Sequence, residues 1–188
     1  MIRHGMTKGN KLGRYIGRGT DEPLSAEGKK ELTQYPGESP QMVYVSPMLR
    51  CRQTAEILFP KCVQCVVEEL SECDFGEFEN KNYRELSGNE AYQKWVDSNG
   101  MLPFPGGESR EEFRDRNLFG FQKVLNDICK SGVKKAAMVV HGGTIMNIME
   151  SLSQKEGSFY DWHVKNGKGY FLKIDEKNHS FLGFQKYE

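Results

Sequence analysis

Two histidines stand where an apolar run gives way to glycine. Arg3-His4-Gly5 follows Met1-Ile2, and Val139-Val140 runs into His141-Gly142-Gly143. The chain holds four histidines in all, so two of them in one setting is hard to ascribe to composition. A histidine at a strand end, beside an arginine, is equipped to attack phosphorus. Neutral imidazole is a nucleophile, and the phosphohistidine it forms is labile to water. Moving a phosphoryl group also takes cations around its oxygens and an acid for the leaving oxygen. Arg3 supplies a charge next to His4. Arg50, at the start of a helix after Ser46-Pro47, offers a planar fork matched to phosphate oxygens. His141 adds a donor when protonated. Gly5, Gly142 and Gly143 let backbone come close to a ligand. For the acid, the run from Leu70 to Gly76 offers Glu72 and Asp74, and residue chemistry alone does not choose between them.

The elements that must carry these groups alternate. Met42 to Val45 reads as a short strand, Arg50 to Phe59 as a helix and Cys62 to Val67 as a strand. Asn82 to Ser98 reads as helical, with Tyr83, Leu86, Tyr92, Trp95 and Val96 as its buried residues. Met101 to Gly107 is a Pro/Gly-rich loop. Glu108 to Lys130 is the longest helical pattern, with Phe113, Leu118, Phe121, Val124, Leu125 and Ile128 at helical spacing. Ala136 to Val140 is a buried strand and Thr144 to Leu152 the helix after it. Tyr170 to Ile174 and Phe181 to Phe184 close the chain as strands. Alternation of this kind predicts a three-layer α/β/α sandwich around a mostly parallel sheet. Ligands of such sheets sit off the carboxyl ends of the strands, which is where both His-Gly elements fall.

Length and charge set the outer bounds. A chain of 188 residues, without repeats or a low-complexity linker, is read as one domain over 1–188. Its 26 Lys+Arg balance 26 Asp+Glu, which argues against a general nucleic-acid or membrane-surface partner. A local basic pocket remains open, since Arg3, Arg14, Arg18, Arg50 and Arg52 all fall in the first third. No apolar run reaches transmembrane length, and the start has no signal-peptide layout. Five irregularly spaced cysteines fit a reducing cytoplasm. Cys62-Val63-Gln64-Cys65 has the form of a redox or zinc half-site, but its valines make it a strand and no second cysteine pair completes it. His163 and His179 are read as surface residues. Phe159, Tyr160, Trp162, Tyr170 and Phe171 are read as core, with a base-like substrate as the alternative.

Taken in order, the motifs resemble the histidine phosphatase superfamily, also called the phosphoglycerate mutase-like family, over nearly the whole chain. They are Ile2 to Thr7 with Asn10, Gly13 to Gly17, Asp21 to Ser25, Ser46 to Ala55, Leu70 to Glu72, Gly106 to Ser109 and Val140 to Gly143. The resemblance implies that His4 is phosphorylated and that Arg3, Arg50 and His141 complete the phosphate pocket. It implies Glu72 rather than Asp74 as proton donor. Asn10, the Ile16-Gly17 backbone and the Gly142 amide would line the pocket, and Glu108 serves either the substrate loop or the start of the long helix. It implies no metal and no cofactor. The implied partner is a small-molecule phosphomonoester. Asp74 to Glu79, Tyr83 to Leu86 and Phe104 to Ser109 resemble the alpha-ribazole phosphatases of cobalamin assembly, which makes alpha-ribazole phosphate the expected substrate. A chain this short lacks the insertions of the true mutases, which implies hydrolysis. A mutase-type phosphotransferase, a broad-specificity small-molecule phosphatase and an idle phosphate-binding protein are the alternatives. Met6 stands where the family usually has Glu, and Phe78-Glu79-Asn80 where it usually has Trp-Glu-Gly. The first strand is shorter than the family's, and shortening a central strand should cost stability.

Overall fold

The computed structural model describes residues 1–32, 35–153, 158–175 and 180–187. Its strands are β1 (Ile2–Arg3), β2 (Met42–Val45), β3 (Gln64–Val66), β4 (Ala136–Val140), β5 (Gly169–Ile174) and β6 (Phe181–Tyr187). They form one six-stranded sheet in the order β3-β2-β4-β1-β5-β6. The first four run parallel, and β5 and β6 are antiparallel to their neighbours. The expected mostly parallel sandwich is therefore what forms.

The helices are α1 (Lys8–Lys11), α2 (Ala26–Glu31), α3 (Leu49–Leu58), α4 (Glu90–Asp97), α5 (Arg110–Ser131) and α6 (Gly142–Ser153). Because side chains alternate across a strand, the central strands are apolar on both faces. Tyr44, Met138 and Val140 pack with Phe121, Val124, Ile145 and Ile148 of α5 and α6. Val43, Val45, Ala137, Val139 and Ile2 pack with Cys51 and Ala55 of α3. Each of these clusters buries several side chains completely, at roughly 1.5–3 kcal/mol apiece.

The helix expected from Asn82 to Ser98 forms only over Glu90–Asp97. The Asn82 side chain accepts from the Arg84 and Glu85 amides, holding a turn, and Gly88 takes φ +85°. These local bonds compete with helix. Leu86 is buried as expected, Tyr92 and Trp95 are half-buried, and Tyr83 and Val96 are exposed instead. The long helix starts at Arg110, after Ser109 caps it through the Glu112 amide and the Glu112 carboxylate returns to the Ser109 amide. The strand β1 spans only two residues between longer neighbours. Below it, at the end of the sheet away from both histidines, lies a cavity of about 520 Å³ touched by Met1, Met138, Tyr170 and Leu172.

Candidate active site

The register brings the two histidines together. Arg3, the last residue of β1, lies opposite Val140, the last of β4, and the His4 amide donates to the Val140 carbonyl at 2.9 Å. Parallel neighbours that end together deliver their next residues to one place. The His4 and His141 rings meet edge to face, with centroids 5.2 Å apart. β2 ends on the other side of β4, and the Ser46 amide donates to the Val139 carbonyl at 3.1 Å. Ser46 Oγ then lies 2.7 Å from His141 Nε2.

Both rings are buried. His4 Nδ1 is 2.7 Å from the Gly5 carbonyl oxygen. A carbonyl only accepts, so Nδ1 carries the hydrogen and the lone pair is on Nε2. Burial, then the Arg50 and Arg3 charges, holds the His4 pKa well below its ordinary value, against the Gly5 bond. Burial, then Arg50, does the same to His141. Both rings are thus biased toward the neutral form in the absence of an anion. A dianion placed among these groups would favour its cation.

Arg50 is fully buried in the first turn of α3. Its terminal nitrogens donate to the carbonyls of Thr20, Ile16 and Gly17 at 2.9, 3.3 and 3.0 Å, so the 16–20 loop aims the guanidinium. Arg3 donates from Nη1 to the Val164 carbonyl at 2.8 Å. The Nε atoms of both arginines are buried without a hydrogen-bond partner, an arrangement that costs free energy unless an anion accepts from them. Glu72 closes the cluster. Its Oε2 lies 4.0 Å from His141 Nδ1, and its Oε1 accepts from the Cys73 amide at 3.0 Å. Burial raises its pKa, opposed by that amide and by Arg50 and Arg3. Gly143 leaves room for it, since a Cβ there would stand 2.8 Å from Glu72 Oε1. Asp74 is elsewhere engaged, its Oδ1 accepting from the Gly76 amide.

The remaining expected residues divide. The Gly142 amide opens α6 beside Arg3, whose Nε would be 3.3 Å from a Cβ at 142. Asn10 Oδ1 accepts from the Thr7 amide and from Asn166 Nδ2, which leaves its own amide hydrogens to point away from them. The Gly17 amide, by contrast, donates to Glu79 Oε1 at 2.8 Å. A side chain at 17 would meet the Cys73 carbonyl at 2.2 Å, so glycine is required there by close approach. Glu108 is also committed. Its carboxylate takes Arg116 on both oxygens at 2.7 Å and the Asp74 amide at 2.9 Å. Burial works to raise its pKa, but the Arg116 and Asp74 bonds hold it below the usual carboxylate range.

Arg116 was not anticipated. It also donates to the carbonyls of Glu69, Ser71 and Glu72, so it fixes the loop that presents Glu72. Asn80 takes φ +56°, a conformation glycine adopts freely and asparagine tolerates. Its side chain accepts from Arg14 at 3.2 Å. Of the aromatic residues expected in the core, Trp162, Tyr170 and Phe171 pack with Phe184, Tyr35 and Tyr187, whereas Phe159 pairs with Tyr160 and lies under Arg110, and Tyr160 is exposed. A second aromatic group, absent from the expectations, gathers Tyr15, Phe75, Phe78, Tyr92, Trp95 and Phe104 beside Gly17. His163 is exposed, and its Nε2 contacts Arg3 Nη1 at 3.1 Å; His179 lies outside the described residues. Among the described residues no group of three or more His, Cys, Asp or Glu is placed to hold a metal ion, and no helix is long and apolar enough to cross a membrane.

A sequence model described as histidine phosphatase superfamily (branch 1) matches residues 1–186. The chain is 27% identical over 190 residues to the adenosylcobalamin/alpha-ribazole phosphatase of Escherichia coli (strain K12), covering 93% of this chain and 88% of that protein. It is 26% identical over 192 residues to phosphoserine phosphatase 1 of Hydrogenobacter thermophilus, covering 97% and 89%. The crystal structure of the alpha-ribazole phosphatase from Shigella flexneri superposes with a TM-score of 0.80 at 24% identity, over 96% of this chain and 91% of that one.

Proposed function

The chain belongs to the histidine phosphatase superfamily (branch 1) and is a phosphoric monoester hydrolase; from that premise we propose that it acts through a phosphohistidine on His4 and that its substrate is alpha-ribazole phosphate. One observation carries the mechanism. His4 is buried and neutral, its Nδ1–H is committed to Gly5, and its Nε2 lone pair is left beside two guanidinium groups. Arg3 and Arg50 hold the phosphoryl oxygens, and the two charges match a monoester dianion. His4 Nε2 forms a bond to phosphorus while the ester P–O bond breaks, and the leaving oxygen takes the proton of Glu72. Glu72 then accepts a proton from water. The water oxygen attacks phosphorus, the N–P bond breaks and phosphate leaves. His141 stabilises the charge on the transferring group, and its ring is oriented by Ser46. Asn10 and the Gly142 amide supply further donors, whereas Gly17 and Glu108 serve to shape the surrounding loops.

The substrate reading is supported by the likeness to the adenosylcobalamin/alpha-ribazole phosphatase along most of both chains. The likeness to phosphoserine phosphatase 1 favours phosphoserine as a second reading. Brief exposure to a phosphomonoester should leave acid-labile label on His4, and His4→Ala should remove both label and turnover while the circular dichroism spectrum stays native. Turnover that survives His4→Ala would refute the nucleophile. Comparing kcat/KM for alpha-ribazole phosphate, phosphoserine and 3-phosphoglycerate, with and without a bisphosphate primer, tests the substrate. Failure to turn over the first compound sinks that reading, and dependence on the primer would make the protein a mutase.

A further inference from the structure

We infer that a second cavity, behind the loop that carries His4, binds a small phosphate-class polyanion and couples its occupancy to catalysis through Arg3. The cavity measures about 580 Å³, within the range of small-molecule sites. Arg3, His163, Lys165 and Lys168 line it, against one carboxylate, Glu31. His4, Arg50, Glu72 and His141 do not line it, so it shares only Arg3 with the cluster proposed for catalysis. Among the described residues Lys165, Lys168 and Glu31 form no ion pair. Three permanent cations against one anion in a concave wall focus a positive field. Met6 forms another part of that wall and adds no charge where a glutamate would have added a second carboxylate.

The wall is tied directly to the nucleophile. The Arg3 amide donates to the Lys168 carbonyl and the Gly167 amide to the Arg3 carbonyl, both at 2.9 Å. Asn166 Nδ2 donates to the His4 carbonyl at 3.0 Å. Arg3 serves both compartments, with Nε toward Gly142 and Nη1 toward Val164 and His163. An anion held by Lys165 and Lys168 competes for Nη1 and draws the guanidinium out of the phosphate pocket. Its effect on turnover is mixed inhibition, a coupling between two sites. This kinetic arm rests on the phosphatase reading; direct binding does not.

Calorimetric titration of the whole protein with inorganic pyrophosphate is expected to show two classes of site. The variant Lys165→Gln/Lys168→Gln should lose one of them, weakening it at least about tenfold, while initial rates without added anion stay unchanged. Its inhibition by pyrophosphate should become purely competitive. Met6→Glu should produce the same loss with both lysines in place. His4→Ala should keep the second site whether or not the nucleophile assignment holds, so binding is scored independently of turnover. A single class of site in the wild-type protein, or two classes that both survive in the lysine variant, would overturn the inference.

Discussion

His4 and His141 each bury an imidazole against guanidinium groups, and that choice is written into the stability of the fold. In the unfolded chain both rings titrate near 6.5. In the fold burial and the arginine charges push both values down. Between the folded and unfolded values the unfolded chain binds more protons, so stability falls as pH drops below about 6.5, by up to about 1.4 kcal/mol per pH unit for each ring. Glu72 works in the opposite sense. Its folded pKa is raised, first by burial, so its contribution is present below the ordinary carboxylate value and is lost as pH rises through the folded one. Two rings against one carboxyl leave a net loss on the acid side. Urea unfolding at about pH 7 and about pH 5.5 should therefore show a lower midpoint at the acid value, and His141→Asn should shrink that gap by roughly half. Equal midpoints in the wild-type protein would mean that the rings are not held neutral.

At the level of elements, the site depends on loops whose partners are distant in sequence. The stretch 163–168 follows a 3-10 turn at Phe159–Trp162 and runs back along β1. Its centre is Asn166, which donates to the His4 carbonyl, the Gly5 carbonyl and Asn10 Oδ1 at 3.0, 3.4 and 3.1 Å. The Gly5 carbonyl also holds His4 Nδ1, so one amide group sets both the orientation of the proposed nucleophile and the direction of the Asn10 amide. Asn166→Asp keeps the size but turns a donor toward three oxygens into an acceptor. Its kcat should fall about a hundredfold, the scale of a misplaced reacting group, with little change in KM. Asn166→Ala, which removes the donor without adding charge, should fall less. If both variants lose stability yet keep the wild-type kcat, the loop is only structural. None of this organisation shows in a local pattern, whereas the two paired histidines do, because apolar strand followed by His-Gly is legible within five residues. The truncated helix at Glu90–Asp97 shows the same limit. The burial its apolar spacing predicts is complete at Leu86, half at Tyr92 and Trp95 and absent at Tyr83 and Val96, and the Asn82 turn and Gly88 win locally.

Over the whole molecule, strand and helix order is enough to bring His4, Ser46 and His141 together, because parallel strands that end in register deliver them to one place whatever the loops do. What could not be read was how the charges are held. Arg50 is expected at the phosphate pocket, but its neighbours in sequence do not show that carbonyls of residues 30 to 34 positions away enclose it. Arg116 reaches Glu72 across 44 positions. These contacts make the phosphate pocket a buried cationic spot in a chain of zero net charge. Long-range steering by such a chain is weak, and buried groups are screened far less than exposed ones. The kcat/KM for a dianionic substrate should consequently drop less than about tenfold between about 0.05 and 0.5 M sodium chloride, because the screening length near 10 Å at 0.1 M acts on solvent-exposed charges. Inhibition through the second cavity behaves differently. Of its lysines, Lys165 is exposed and Lys168 half-buried, so the mixed component should weaken far more over the same range than the competitive component. A steep loss of kcat/KM with salt would place the cations that capture substrate on the surface rather than in the sheet's carboxyl-end cluster.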